Sequence, residues 1–192
     1  KYFPELPTQL YISHNHTDHS GELPVFLAIQ RADKVSTNLI AHTAVMDKLI
    51  KHRLDELRST GKHLDEFCDY VPLTGGQQYD LGKNLFLEPI EAKHAETCYG
   101  AVIYYEDQPI IGWSADSGFH EELYDKLLEA SVCLIDARVK GNTDHASFQD
   151  FNKYLQHKQA LSNIYVVGYG RDFTSSNFYH KGYPGQEIII NL

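Results

Sequence analysis

Three histidines and an aspartate stand together near the start of this 192-residue chain, in His14-Asn15-His16-Thr17-Asp18-His19. Imidazole nitrogens and a carboxylate are the donors that borderline divalent ions prefer. The apolar run Leu10-Tyr11-Ile12 leads directly into them. In extended chain, residues two apart point the same way, so His14 and His16 can grip one ion. Asp18 and His19 fall where the chain turns and are free to reach a second. A bound ion lowers the pKa of its water toward neutrality, so the chemistry such a loop serves is hydrolysis. The plain alternative is a polar loop that happens to be histidine-rich.

The elements that must position these groups follow from hydrophobic spacing. Leu23 to Ala32 reads as a helix with Pro24 in its first turn. Asn38 to Ala41 is a short strand, after which Thr43 caps a helix. Val45, Leu49, Leu54 and Leu57 recur along that helix with charges between them; His52 and His63 face solvent. Asp69 to Pro72 is extended and Gly75-Gly76 marks a turn. Leu85 to Ala92 is a strand that delivers Lys93-His94. Ala101 to Tyr105 and Pro109 to Trp113 flank a hairpin turn, and the second of them ends at Ser114-Ala115-Asp116-Ser117-Gly118. A helix is expected from Glu121 to Ala130, then a buried strand, Val132 to Ile135, ending in Asp136. His145 opens another helix, with Phe148, Phe151 and Leu155 on one face. Ile164 to Val167 is the next strand and Glu187 to Leu192 the last. Strands that alternate with helices after a hairpin-rich middle mean α/β with mixed strands.

The motif from His14 to His19, with Ser20-Gly21-Glu22-Leu23-Pro24 behind it, resembles the signature loop of the metallo-β-lactamase superfamily. There the loop follows a strand and opens a helix. The resemblance runs from His14 to Val167 and implies a four-layer αββα sandwich with two metals at one sheet edge, Zn2+ in the first place and Mn2+ as the alternative. It implies that His14, His16 and the later His94 hold one ion. Asp18, His19, a bridging Asp116 and a last histidine would hold the other. A carboxylate has two oxygens with which to span two ions. Asp116 could equally cap the helix after Gly118. The family places several strands before the loop, whereas here Lys1 to Leu10 lead straight into it, so the first strands are expected to be missing from this chain. It is otherwise read as one domain, residues 1–192.

Within the superfamily, Ala130 to Arg138 and Asp144-His145-Ala146-Ser147 resemble the tRNA 3′-processing endonuclease branch, RNase Z. That resemblance implies His145 as the general acid for the leaving group and Asp136 as its orienting partner. An alkoxide leaving group needs a proton, and a histidine titrating near neutrality can supply it. Arg138 departs from the branch and could bind phosphate. The larger departure is Gly168, in Gly168-Tyr169-Gly170-Arg171, where the last metal histidine is expected. His180 or Asp172 could substitute, or a partner subunit could donate the ligand; Gly168 and Gly170 could equally make room for a base or ribose. Tyr169, Phe173, Phe178, Tyr179 and Tyr183 form an aromatic run that either stacks on a base or belongs to the core or a dimer contact. Arg138, Tyr169, Arg171 and His180 are the candidate substrate contacts.

Seventeen basic and 26 acidic residues give a net charge of −9. A long polyanion usually calls for a basic face, so a small substrate is favoured. The branch's protruding Gly/Pro-rich arm, which grips tRNA, has no counterpart here. Some relatives of the branch hydrolyse cyclic nucleotides, phage enzymes that destroy immune signals among them. The expectation is therefore a phosphodiesterase that turns a metal-bridged hydroxide on a small phosphodiester such as a cyclic nucleotide. An RNase Z-like nuclease is the nearest alternative, and a degenerate binding subunit the alternative from another class. No run is long and apolar enough to span a membrane. Cys68, Cys98 and Cys133 form no C-x-x-C pair and read as buried thiols of a cytoplasmic protein. A homodimer, or a partner chain over the N-terminal sheet edge, is expected to cover what the missing strands leave open.

Overall fold

The histidine-rich loop leaves the edge strand of a small parallel sheet. In the computed structural model, which describes residues 6–158 and 163–190, the chain divides into two compact units, Lys1–Thr74 and Gly75–Leu192. In the first, β1 (Gln9–Tyr11) pairs in parallel with β2 (Asn38–His42), and β2 with β3 (Asp69–Leu73). The middle strand buries Leu39, Ile40 and Ala41 completely, the continuous apolar run of a parallel strand covered on both faces. Ile12 N donates to Ile40 O at 2.9 Å, so the ladder extends up to the residues that bear the histidines.

Parallel strands need crossovers, and helices supply them. After the single turn α1 (Thr17–Ser20), α2 (Leu23–Ala32) occupies the expected residues with Pro24 in its first turn. It buries Leu23, Leu27 and Gln30. The next helix, α3 (Thr43–Lys48), is capped by His42, whose Nδ1 accepts from Ala44 N at 3.3 Å. Thr43, the expected cap, instead donates from Oγ1 to Leu73 O at 2.9 Å and ties the helix to β3.

This helix then widens into a π turn, Leu49–Arg53, closed by a 2.8 Å bond from Leu54 N to Leu49 O, and continues as α4 (Asp55–Arg58). The cause is visible in the spacing. Leu49 and Leu54 are both fully buried, yet they lie five residues apart, where a regular α-helix repeats after three or four. An extra residue in the turn puts both on the same face. His52 and His63 are exposed, as expected.

In the second unit, β4 (Tyr79–Gly82), β5 (Leu85–Glu91), β6 (Tyr99–Tyr105) and β7 (Gln108–Trp113) form an antiparallel meander. Beyond β7 the sheet turns parallel through β8 (Val132–Asp136), β9 (Asn163–Gly168) and β10 (His180–Lys181). Helices α5 (Glu121–Leu127) and α6 (Phe148–Gln156) make the crossovers. Their buried Leu123, Tyr124, Leu127, Phe151 and Leu155 pack with Cys133, Ile135 and Val166 of the sheet.

Three expectations are corrected here. Helix α5 stops at Leu127 rather than Ala130 and closes with a turn from Ala130 N to Leu127 O. His145 does not open a helix. It lies in the loop ahead of α6, which is capped by Ser147 Oγ accepting from Asp150 N at 2.9 Å. Glu187–Ile190 is not a strand: nothing pairs with it among the described residues, and Ile189 is 86% exposed. Asn191 and Leu192 lie outside the described residues. Among those residues no helix is long and apolar enough to cross a membrane.

Candidate metal-binding residues and an acid–base pair

In the first unit the loop gathers its imidazoles. The ring of His14 lies 4.7 Å from that of His16, nearly edge-on, and 4.1 Å from that of His19. His14 is buried, and its Nδ1 is 3.0 Å from Ser13 Oγ. Asp18 is exposed, with a carboxylate oxygen 3.7 Å from His19 Nε2. Between the first two histidines stands Asn15. Its side-chain oxygen accepts from Arg53 Nε at 3.2 Å and from Ser20 Oγ at 3.3 Å; its backbone oxygen accepts from a terminal guanidinium nitrogen of Arg53 at 3.0 Å. Sequence reasoning missed Asn15, Ser20 and Arg53. The five-residue step from Leu49 to Leu54 was the available signal.

In the second unit His94 follows β5. Its side chain is 2% exposed, and its Nδ1 lies 3.2 Å from Asp144 O and 3.8 Å from Asp144 Oδ1. Asp116 follows β7 directly after Ala115, which holds a φ of 52°. A non-glycine residue there is uncommon and marks a backbone over-determined by its surroundings. Asp116 caps no helix, because the cap position of α5 belongs to His120.

The end of β8 brings Asp136 beside His145. His145 Nδ1 lies 2.5 Å from Asp136 Oδ2 and 4.0 Å from Asp116 Oδ2. One donor atom from each of these three residues falls within 4.8 Å of the others. The loop holds His145 by two 2.8 Å bonds, its N donating to Asn142 Oδ1 and its O accepting from Asn142 N. Burial raises the Asp136 carboxyl to about 6, against the lowering influence of the His145 hydrogen bond and the Arg138 charge. Arg138 Nε is 3.1 Å from Asp136 Oδ1.

The two glycines after β9 are explained by these side chains. A Cβ on Gly168 would sit 2.6 Å from Asp136 Oδ1, and a Cβ on Gly170, at φ +68°, 2.9 Å from a terminal nitrogen of Arg138. They leave room for Asp136 and Arg138, and a side chain at position 168 would have to displace the Asp136 carboxylate. His180 and Asp172 are exposed, and among the described residues neither joins a group of three metal-competent side chains. His180 instead lies against Tyr165, ring centroids 5.4 Å apart. Of the aromatic run, Tyr179 is buried and Tyr169 and Phe173 pack against the core, whereas Phe178 and Tyr183 are exposed. Arg171 is exposed.

The donors suit divalent metal. The first unit offers three clustered imidazoles and a carboxylate; the second offers His94 and Asp116. These are the nitrogen and oxygen donors of catalytic zinc and manganese sites.

Both the sequence and the fold have similar counterparts among known proteins. Over 104 residues, 53% of this chain, the sequence is 28% identical to "Nuclear ribonuclease Z" of Triticum aestivum, of which it spans 57%. The metallo-β-lactamase fold protein YhfI of Bacillus subtilis aligns over 86% of this chain and 66% of its own, at 13% identity and a TM-score of 0.68. A diphosphatase of the PhnP family aligns over 96% of this chain and 72% of its own, at 12% identity and a TM-score of 0.71. Residues 5–184 match the family described as Anti-Pycsar protein Apyc1. The fold is therefore that of the metallo-β-lactamase proteins, and the chain belongs to the Anti-Pycsar protein Apyc1 family.

Proposed function

We propose that this chain is a metal-dependent phosphodiesterase acting on a small phosphodiester such as a cyclic nucleotide. The observation that carries the reading is the His145–Asp136 pair, 2.5 Å apart, beside the carboxylate of Asp116. A histidine held through Nδ1 by a buried carboxylate keeps Nε2 for proton exchange. Such a group can donate to the leaving ribose oxygen, a contribution typically worth 10²–10⁴-fold in rate. Asp136 fixes the orientation of the ring, and Arg138, steadied by Asp136, offers a guanidinium to a phosphate oxygen.

His14, His16 and His94 would hold one ion, and Asp18, His19 and Asp116 a second. Bound ions supply a nucleophile from water at neutral pH and offset charge on the phosphate. The exposed Asp18 would also orient that nucleophile. The match to ribonuclease Z supports phosphodiester chemistry. The charge of −9 favours a small substrate over a long polyanion.

The test combines elemental analysis with a substrate panel: bis(p-nitrophenyl) phosphate, cyclic nucleotides and single-stranded RNA. About two ions per chain are expected, with turnover of the small diesters. Asp116→Ala is expected to abolish turnover with the fold intact. His145→Ala should keep its metal and lose 10²-fold or more in rate. Cleavage of RNA alone, or undiminished turnover in either variant, would overturn the reading.

A further inference from the structure

Outside the ligand set, Arg53 reaches into the histidine loop. It ends the π turn Leu49–Arg53 and is half-buried. Its guanidinium makes two bonds to one residue, from Nε to Asn15 Oδ1 at 3.2 Å and from a terminal nitrogen to Asn15 O at 3.0 Å. The single proton of Ser20 Oγ is shared between His16 O at 3.0 Å and Asn15 Oδ1 at 3.3 Å. The peptide between His14 and His16 is thus gripped from a neighbouring helix and from the end of α1. A planar fork fixes the direction of the group it holds as well as its distance, which a lysine cannot do.

The π turn is what aims the fork. By taking up one extra residue it sets everything after it back by about 100° around the helix axis relative to an unbroken α-helix. Single π turns inside α-helices sit frequently at functional sites. Here the burial of Leu49 and Leu54 drives the widening, and Arg53 is carried along with it.

We propose that Arg53 is a positioning residue for the metal loop: acting through Asn15, it fixes the backbone that presents His14 and His16 and so sets the affinity for metal. The proposal rests on the metal reading above. Groups that orient metal ligands from outside typically change metal affinity by 10–100-fold when removed.

The experiment measures Zn2+ affinity of the full chain by chelator competition, and the visible spectrum of the Co2+ form, for Arg53→Ala, Asn15→Ala, the double variant, Arg53→Lys and Arg58→Ala. Arg58 carries the same charge on α4 and is paired with Asp55, so its loss controls for charge alone. Apo-protein thermal unfolding is recorded alongside. Arg53→Ala is expected to weaken Zn2+ binding at least tenfold and alter the Co2+ bands, with Arg53→Lys only partly restoring affinity and Arg58→Ala unchanged. The double variant should be no weaker than the worse single one. If Arg53→Ala does not fold, Asn15→Ala alone carries the test. Unchanged affinity with a lowered apo melting temperature would reduce Arg53 to a structural role and overturn the proposal while the metal reading stands. Wild-type protein that takes up no metal would overturn both.

Discussion

Gly168 shows how one absent atom shapes a site. At this position the resemblance leads one to expect a metal-binding histidine, and the structure finds instead the carboxylate of Asp136 pressed against a bare backbone. Gly168→Ala should therefore be costly. Either the new methyl displaces Asp136 or the strands shift, and overpacking of this kind typically costs about 1–3 kcal/mol. The expected outcome is a lower denaturation midpoint together with slower turnover, since His145 loses its anchor; equilibrium urea unfolding and the bis(p-nitrophenyl) phosphate assay check the two parts. The histidine loop was legible in the sequence because its ligands are neighbours in the chain. The contact of Gly168 with Asp136 was not, because it depends on how β9 registers against β8, and that register shifts between Ile135 and Asp136. The Arg53–Asn15 bonds were hidden for a related reason: they join residues 38 positions apart.

The elements divide the same way. Helix α2 and the β6–β7 hairpin could be read from local periodicity and turn residues, and the structure places them where that reading did. The terminal run Glu187–Ile190 has strand composition but no neighbour to pair with among the described residues, and composition cannot supply one. The π turn gives a sharper test. Deletion of the exposed His52 restores a four-residue step from Leu49 to Leu54 and lets the helix run on as α, with Arg53 still directly ahead of the buried Leu54 and so still on the side of Asn15. Circular dichroism should show helix content retained while Zn2+ affinity stays near that of the wild type, in contrast to Arg53→Ala. Leu54→Ala, which empties a fully buried site, should instead cost about 2–5 kcal/mol of stability. Helices α5 and α6 are linked by Asp125, whose carboxylate accepts from Tyr154 Oη at 2.6 Å and from Lys158 Nζ at 2.5 Å. Lys158 first and Tyr154 second hold its pKa below the ordinary carboxylate value. A depressed folded-state pKa means the stabilisation is present above the unfolded value of about 3.9 and is lost as pH falls through the folded one. The gap in melting temperature between wild type and Asp125→Asn, small because the pair is half-exposed, should thus close as pH drops below about 4.

For the whole molecule the deciding quantity is charge. A net −9 disfavours a substrate held by many phosphate contacts. Binding through many such contacts weakens by orders of magnitude between about 50 and 200 mM salt. A KM for a small cyclic diester that changes by less than about threefold over that range would fit a site reading one phosphate; a steep rise would point to a polymer. The three cysteines bear on the molecule in a different way. Cys68 belongs to the first unit, Cys98 and Cys133 to the second, and all three are buried thiols that form no disulfide among the described residues. Burial pushes the Cys68 thiol up to about 11 and the Cys98 thiol up to about 12, and only a thiolate reacts readily with an alkylating reagent. In the native state these thiols should be inert at neutral pH, so each becomes modified only when its surroundings open. The chain thus carries built-in reporters of breathing motions, one in the first unit and two in the second. Peptide-resolved alkylation over hours would time the opening of each unit from a single sample, with no probe site engineered into the chain.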